Sequence, residues 1–175
     1  MPAVPSDAAG PALPATLDIE ASGFGRDSYP IEIGWVLPDG RTGCLLVKPA
    51  AHWTHWDEGA AALHGIRRET LLAHGRPVAE VAARLNDELG GHTVYSDAWG
   101  HDYPWLAVLF EEAGSAPRFR LEPATRLLRD TQLGQLDTLH RQAFDELAVE
   151  RHRASNDARA LQRALGAVIG STLAH

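Results

Sequence analysis

The chain has 175 residues, 45% of them hydrophobic and 22% charged, with a formal net charge of −7, which suits one globular domain with a sizeable core. The acidic balance argues against a protein that coats nucleic acid through bulk charge, and no apolar run is long enough for a membrane span. The single Cys44 excludes an internal disulfide and fits a reducing compartment, as a small buried or strand residue.

The opening stretch, "MPAVPSDAAGPALP", has neither the basic start nor the apolar segment of a signal peptide, so a cytoplasmic protein is expected. Residues 1–15 read as a flexible arm, and residues 16–175 as the domain. Strands are expected at 16–21, 30–37 and 43–48. "PDG" at 38–40 is a turn signal that makes the second and third strands a hairpin. Residues 52–66 read as irregular or short helix. "PVAEVAARLNDEL" (77–89) is an amphipathic helix stopped by Gly90 and Gly91. "HTVYS" (92–96) is a fourth strand. A helix follows over 102–114, with Pro104 in its first turn, and then a short fifth strand over 118–122. Helices complete the chain at about 124–130, 133–149 and 156–169. Strands first, then strands alternating with helices, give an α/β layered domain with a mixed sheet. Charge is uneven along it. Residues 1–117 carry 7 Lys and Arg against 16 acids, and residues 118–175 carry 9 Arg against 7 acids. The last third therefore offers a solvated helix face or a local basic surface.

The chemistry-bearing residues are acids in apolar surroundings. In "LDIEAS" (17–22), strand alternation puts Asp18 and Glu20 on one face, with Leu17 and Ile19 on the other. Asp102 heads a helix whose stripe is Leu106, Leu109 and Phe110. Asp157 heads the last helix, with Leu161, Ala164, Leu165 and Val168 on the same face. An acid in a first helical turn is ordinarily a solvated complement to the helix dipole, but these two lie on inward stripes. Four carboxylates in one apolar region must protonate or be neutralised by cations. Oxygen-only donors suit Mg²⁺ or Mn²⁺, and a shared carboxylate suits an ion pair about 3.5–4 Å apart. His152, in the loop before the last helix, is placed to take a proton from water at neutral pH. A plain surface histidine is the alternative.

The order of "LDIEASGF", "PIEIGWV", "ALHGI", "YSDAWGHDYPWL" and "HRASNDA" resembles the DEDDh branch of the DnaQ-like 3′→5′ exonucleases, relatives of ribonuclease T and oligoribonuclease, over residues 16–165. The resemblance implies a ribonuclease H-like fold, a five-stranded mixed sheet flanked by helices. It implies that Asp18, Glu20, Asp102 and Asp157 hold two Mg²⁺ or Mn²⁺ ions and that His152 is the general base. Phe24 stands where the family has a Leu that wedges against terminal bases. Ser22, Gly23 and the His64 of "HGI" are the other expected substrate contacts, His64 in a mainly structural role or at the substrate edge. Two departures are visible. Ala21 replaces a Thr. Asp97 stands where many members have Asn, five residues before Asp102, as in oligoribonuclease. Asp102 is preferred to Asp97 as the ligand because only it heads an apolar helix stripe.

The implied activity is metal-dependent hydrolysis of the 3′-terminal phosphodiester of single-stranded RNA or DNA, with RNA favoured and nucleoside monophosphates released. Trp53, Trp56, Trp99 and Tyr103 lie in segments that border such a site, as base-stacking surfaces or as ordinary packing. A homodimer is expected, as in many stand-alone relatives, and no membrane partner. A ribonuclease H-type endonuclease and a non-catalytic nucleic-acid-binding module of the same fold are the alternatives.

Overall fold

The structure is a computed structural model that describes residues 12–172, with side chains to residue 170. The expected arm therefore lies largely outside the described residues, and the first strand, β1, already begins at Ala15 (Ala15–Ala21). Strands β2 (Pro30–Val36), β3 (Thr42–Leu46), β4 (Thr93–Ser96) and β5 (Arg120–Pro123) complete one sheet of order β3-β2-β1-β4-β5. β1 pairs antiparallel with β2 and parallel with β4. β2–β3 is antiparallel and β4–β5 parallel. The sheet is thus the mixed, five-stranded one expected. The β2–β3 hairpin closes at Asp39-Gly40. Gly40 sits at φ 84°, a conformation that favours glycine, and Asp39 Oδ1 accepts from the Arg41 amide at 3.0 Å.

The described residues also form six α-helices, three of them between β3 and β4, one between β4 and β5 and two after β5: α1 (Glu58–His64), α2 (Arg68–His74), α3 (Val78–Leu89), α4 (Trp99–Glu112), α5 (Asp130–Leu147) and α6 (Ala154–Thr172). Helices α3 and α4 pack on the main core, which contains Leu17, Ile19, Ile31, Ile33, Leu85, Leu106 and Leu109. Helix α6 lies along β1 and β2, and a separate cluster of Leu136, Leu161 and Leu165 joins it to α5. Thr16 Oγ1 donates to the Ala158 carbonyl at 2.7 Å. The even positions of β1 therefore face α6, while Leu17 and Ile19 face the main core.

Several expectations shift. Helix α2 was not foreseen. With seven residues and only Leu71 buried, it leaves no periodic stripe to read. Residues 124–130 are a 3₁₀ turn (Ala124–Leu127), and α5 begins at Asp130. Helix α4 begins three residues earlier than expected, at Trp99, so Pro104 lies inside it. Cys44 is on a strand, as expected, but the residue is exposed because β3 is an edge.

Candidate active site

Asp18 and Glu20 lie two positions apart near the end of β1. Asp157 is the fourth residue of α6, and the Arg153 amide donates to its Oδ2 at 3.1 Å. That bond satisfies an N–H left over at the helix start and fixes the carboxylate. Carboxylate oxygens of Asp18, Glu20 and Asp157 all lie within 4.8 Å of one another. Asp102, the fourth residue of α4, is fully buried and stands beside this trio rather than within it. Its charge acts on Asp18 more strongly than that of any other acid. The Ser96 hydroxyl donates to Asp102 Oδ2, while Oδ1 is buried with no hydrogen-bond partner.

Electrostatics follow from that crowding. Asp18 is pushed well above the usual carboxylate range, by burial and then by Asp102, Asp157 and Glu20. Glu20 is pushed up to about 7, by burial and then by Asp157 and Glu32. Burial pushes Asp102 up to about 8, against the Ser96 hydrogen bond, which pulls the other way. Asp157 is also raised, chiefly by burial. Without a cation some of these groups carry protons at neutral pH. An unpartnered buried oxygen and an all-oxygen donor set are what a hard divalent cation fits. Asp18, Glu20 and Asp157 would share it, with Asp102 completing the set.

His152 is exposed, in the turn immediately before α6. Its charge is among those acting on Asp157, so it borders the carboxylates from the solvent side. Its backbone is left-handed, at φ 62°, uncommon for a residue with a Cβ.

On the other side stands the loop leaving β1. Phe24 is 62% exposed. Its ring meets His101 edge-on at 5.5 Å and lies 6.2 Å from Trp105, and these two stack at 5.7 Å on α4. Trp105 Nε1 donates to Ser28 Oγ at 2.8 Å, which ties the loop to α4. Ser22 is buried, and its hydroxyl accepts from the Tyr29 amide at 3.1 Å. Gly23 touches His55 and Asp57 so closely that an added Cβ would lie 2.6 Å from His55 Cε1. His64 is buried as well, with Nδ1 accepting from the Ile66 amide at 3.0 Å and Nε2 unpartnered. Of the four expected substrate contacts, only Phe24 reaches solvent.

Trp53 is buried and stacked on Tyr29 at 5.2 Å, and half-buried Trp56 meets His64. Trp99 and Tyr103 pair at 5.1 Å on the exposed side of α4, and Trp99 Nε1 donates to the Leu121 carbonyl at 3.0 Å.

Comparisons with known proteins bear on the fold. No protein-family model and no curated protein matches the chain. Solved structures do. The zinc-bound E. coli exonuclease I–single-stranded DNA complex superposes with a TM-score of 0.65 and 16% identity, over 93% of this chain and 43% of that one. E. coli exonuclease I with a dA16 oligonucleotide gives 0.67 and 16%, over 92% and 41%. A moderately thermophilic exonuclease I from Methylocaldum szegediense gives 0.67 and 17%, over 90% and 40%. The fold is ribonuclease H-like. The chain spans about two fifths of the length of these structures.

Within this ribonuclease H-like fold, three features at the site carried no role in the sequence reading. Glu32 is buried on β2 and its carboxylate is held by Arg153; an acid inside the apolar run "PIEIGWV" was the available signal. Ser96 holds Asp102. Asp97 pairs with His140 of α5, Oδ2 to Nδ1 at 3.2 Å, while its charge still raises Asp18 and Asp157. No sequence pattern linked His140 to Asp97, 43 positions away.

Proposed function

We propose that the protein is a metal-dependent 3′→5′ exonuclease acting on single-stranded nucleic acid. The observation that carries this reading is the convergence of Asp18, Glu20 and Asp157 beside a buried Asp102 whose Oδ1 lacks a partner. The fold shared with exonuclease I supports it. Two divalent cations, when bound, would supply the acidified attacking water and stabilisation of the leaving 3′-oxygen. Asp18, Glu20, Asp102 and Asp157 would hold them, and the all-oxygen set favours Mg²⁺ or Mn²⁺ over zinc, which prefers nitrogen and sulfur.

The chain's own side chains supply the rest. His152, exposed at the solvent edge, accepts the proton of the attacking water through its free ring nitrogen. Phe24 offers a ring face on which the terminal bases stack. Ser22, Gly23 and His64 act behind it, shaping the loop from which Phe24 projects. The exposed Phe24 ring favours an unpaired strand, because a base has a free face to stack on it only when unstacked.

The Asp97-to-Asp102 spacing, similar to that of oligoribonuclease, favours RNA. One of the exonuclease I structures holds a dA16 oligonucleotide, so both belong in the test. 5′-labelled RNA and DNA single strands are incubated with Mg²⁺, Mn²⁺ or EDTA. The expected result is a ladder shortening from the 3′ end, faster on RNA, absent in EDTA, with nucleoside monophosphates released. Internal cuts would favour the ribonuclease H-type endonuclease, and binding without cleavage the non-catalytic module. A homodimer in cytoplasm is the expected working state, checked by light scattering.

A further inference from the structure

Glu32 sits on β2 directly across from Glu20 of β1, and its side chain is 1% exposed. Its carboxylate accepts from Arg153 Nε at 3.2 and 3.1 Å and from Arg153 Nη2 at 2.7 Å. It also accepts from the Ala154 amide at 2.9 Å. All of these donors belong to the two residues that follow His152. Two positions further along β2, Gly34 lies against the same turn. A Cβ there would come within 2.2 Å of the Ser155 nitrogen and 2.3 Å of the Ala154 carbonyl carbon. β2 therefore grips the start of α6 with one carboxylate and one absent side chain.

The pair is buried on the Glu32 side and half exposed on the Arg153 side, and such a pair is weak support for stability, because desolvation of the carboxylate offsets much of the attraction. A planar guanidinium held by two oxygens nevertheless fixes direction. Here it fixes the residue after His152, whose own backbone is left-handed at φ 62°. The amide of that same Arg153 fixes Asp157. One rigid point thus sits between the base and a carboxylate of the cluster.

Resting on the exonuclease reading, we propose that Glu32 is a positioning residue that holds the His152 turn through Arg153 and the Ala154 amide, so that the imidazole faces the attacking water. Glu32 itself touches neither substrate nor the reacting atoms. Its removal releases the base, while Asp157 keeps the bond to the Arg153 amide within its own helix start.

The test is a double-mutant cycle. Glu32→Gln, His152→Ala and the double variant are compared by single-turnover rate at saturating Mn²⁺, KM, Mn²⁺ affinity by calorimetry, and Tm. Glu32→Gln should lower kcat by about 10–100-fold, with KM within about twofold of wild type and Mn²⁺ affinity changed far less than kcat. On the His152→Ala background it should cost nothing further, because the base it positions is gone. Full additivity, or an unchanged kcat, overturns the proposal; so does a loss confined to KM or to Mn²⁺ affinity. If Glu32→Gln does not fold, the apolar pair Glu32→Leu/Arg153→Met replaces it, and a wild-type kcat in that variant overturns the proposal equally. A wild-type protein that cleaves nothing defeats the exonuclease reading alone. Hydrogen exchange over residues 151–155 still tests the grip. It should quicken about tenfold or more in Glu32→Gln, and unchanged exchange overturns the proposal.

Discussion

Helices α4 and α6 each bring an aspartate to the end of β1 from their fourth residue, Asp102 in one and Asp157 in the other, and there the likeness ends. Asp102 is sealed. It is fully buried, with one oxygen on the Ser96 hydroxyl and the other on nothing. Asp157 is half-buried, bonded to the amide of its own helix start and bordered by the exposed His152. The closed side stores unfavourable charge that a cation would relieve. The open side carries the exposed His152. Under the exonuclease reading, the contrast assigns ion holding to the closed side and access for water and a strand end to the open one.

The largest effects should come from removing either aspartate. Asp102→Asn and Asp157→Asn should each reduce cleavage to background, since each removes a carboxylate from the cluster. Melts in EDTA then separate them. Measured above pH 8, where Asp102 is ionised, Asp102→Asn removes a buried anion and should raise Tm, by about 2–4 °C for each kcal/mol relieved. Asp157→Asn should raise it less, because the lost charge also complements the start of α6. Equal rises would erase the distinction between closed and open sides.

His152→Ala probes the open side. It should lower the single-turnover rate by about 10²–10⁴-fold while leaving Mn²⁺ affinity and Tm nearly unchanged, since an exposed ring leaves no cavity. A parallel loss of Mn²⁺ affinity would make His152 part of the ion-holding set and draw the two sides together.

The acids of both sides could be read in the sequence, but not what holds them. Strand alternation marks Asp18 and Glu20, and helical stripes mark Asp102 and Asp157, because burial leaves a periodic imprint on neighbouring residues. The five strands lie within two residues of their expected bounds. Glu32 and Arg153 left only half a signal. An acid in an apolar strand announces a partner, but not which of the chain's arginines, 121 positions away. The left-handed backbone at His152 and the seven-residue α2 are set by tertiary packing around short segments. Periodicity does not reach there.

Phe24→Ala tests whether the rim between the two sides belongs to substrate. The ring is largely exposed and meets the rings of His101 and Trp105, so Tm should hold. Loss of stacking on the order of 1–3 kcal/mol per base should raise KM by about 5- to 150-fold, with little change in the single-turnover rate at saturation. A fall in Tm with unchanged KM would return Phe24 to the core side of the loop.

The smallest effect is in the pH dependence of the metal-free fold. Glu20 and Asp102 are raised in the native state, to about 7 and about 8, from about 4 when unfolded. Between those values the native state holds protons that the unfolded state has released. Stability therefore falls as pH rises, and the loss is complete once pH passes the native values. His64, lowered from 6.5 mainly by burial, acts in the opposite sense only below its unfolded value, so pH 6.5–8.5 is the window to read. In EDTA, Tm should fall by a few degrees across it. With saturating Mn²⁺ the stabilisation over EDTA should grow across the same window, because fewer protons compete for the carboxylates. The Asp102→Asn variant should lose more of the EDTA slope than Asp157→Asn, since burial raises Asp102 to about 8 and Asp157 keeps the Arg153 amide bond that holds it down. An unchanged slope in Asp102→Asn would place the titrating proton elsewhere in the cluster and end the claim that α4 bears the stored charge.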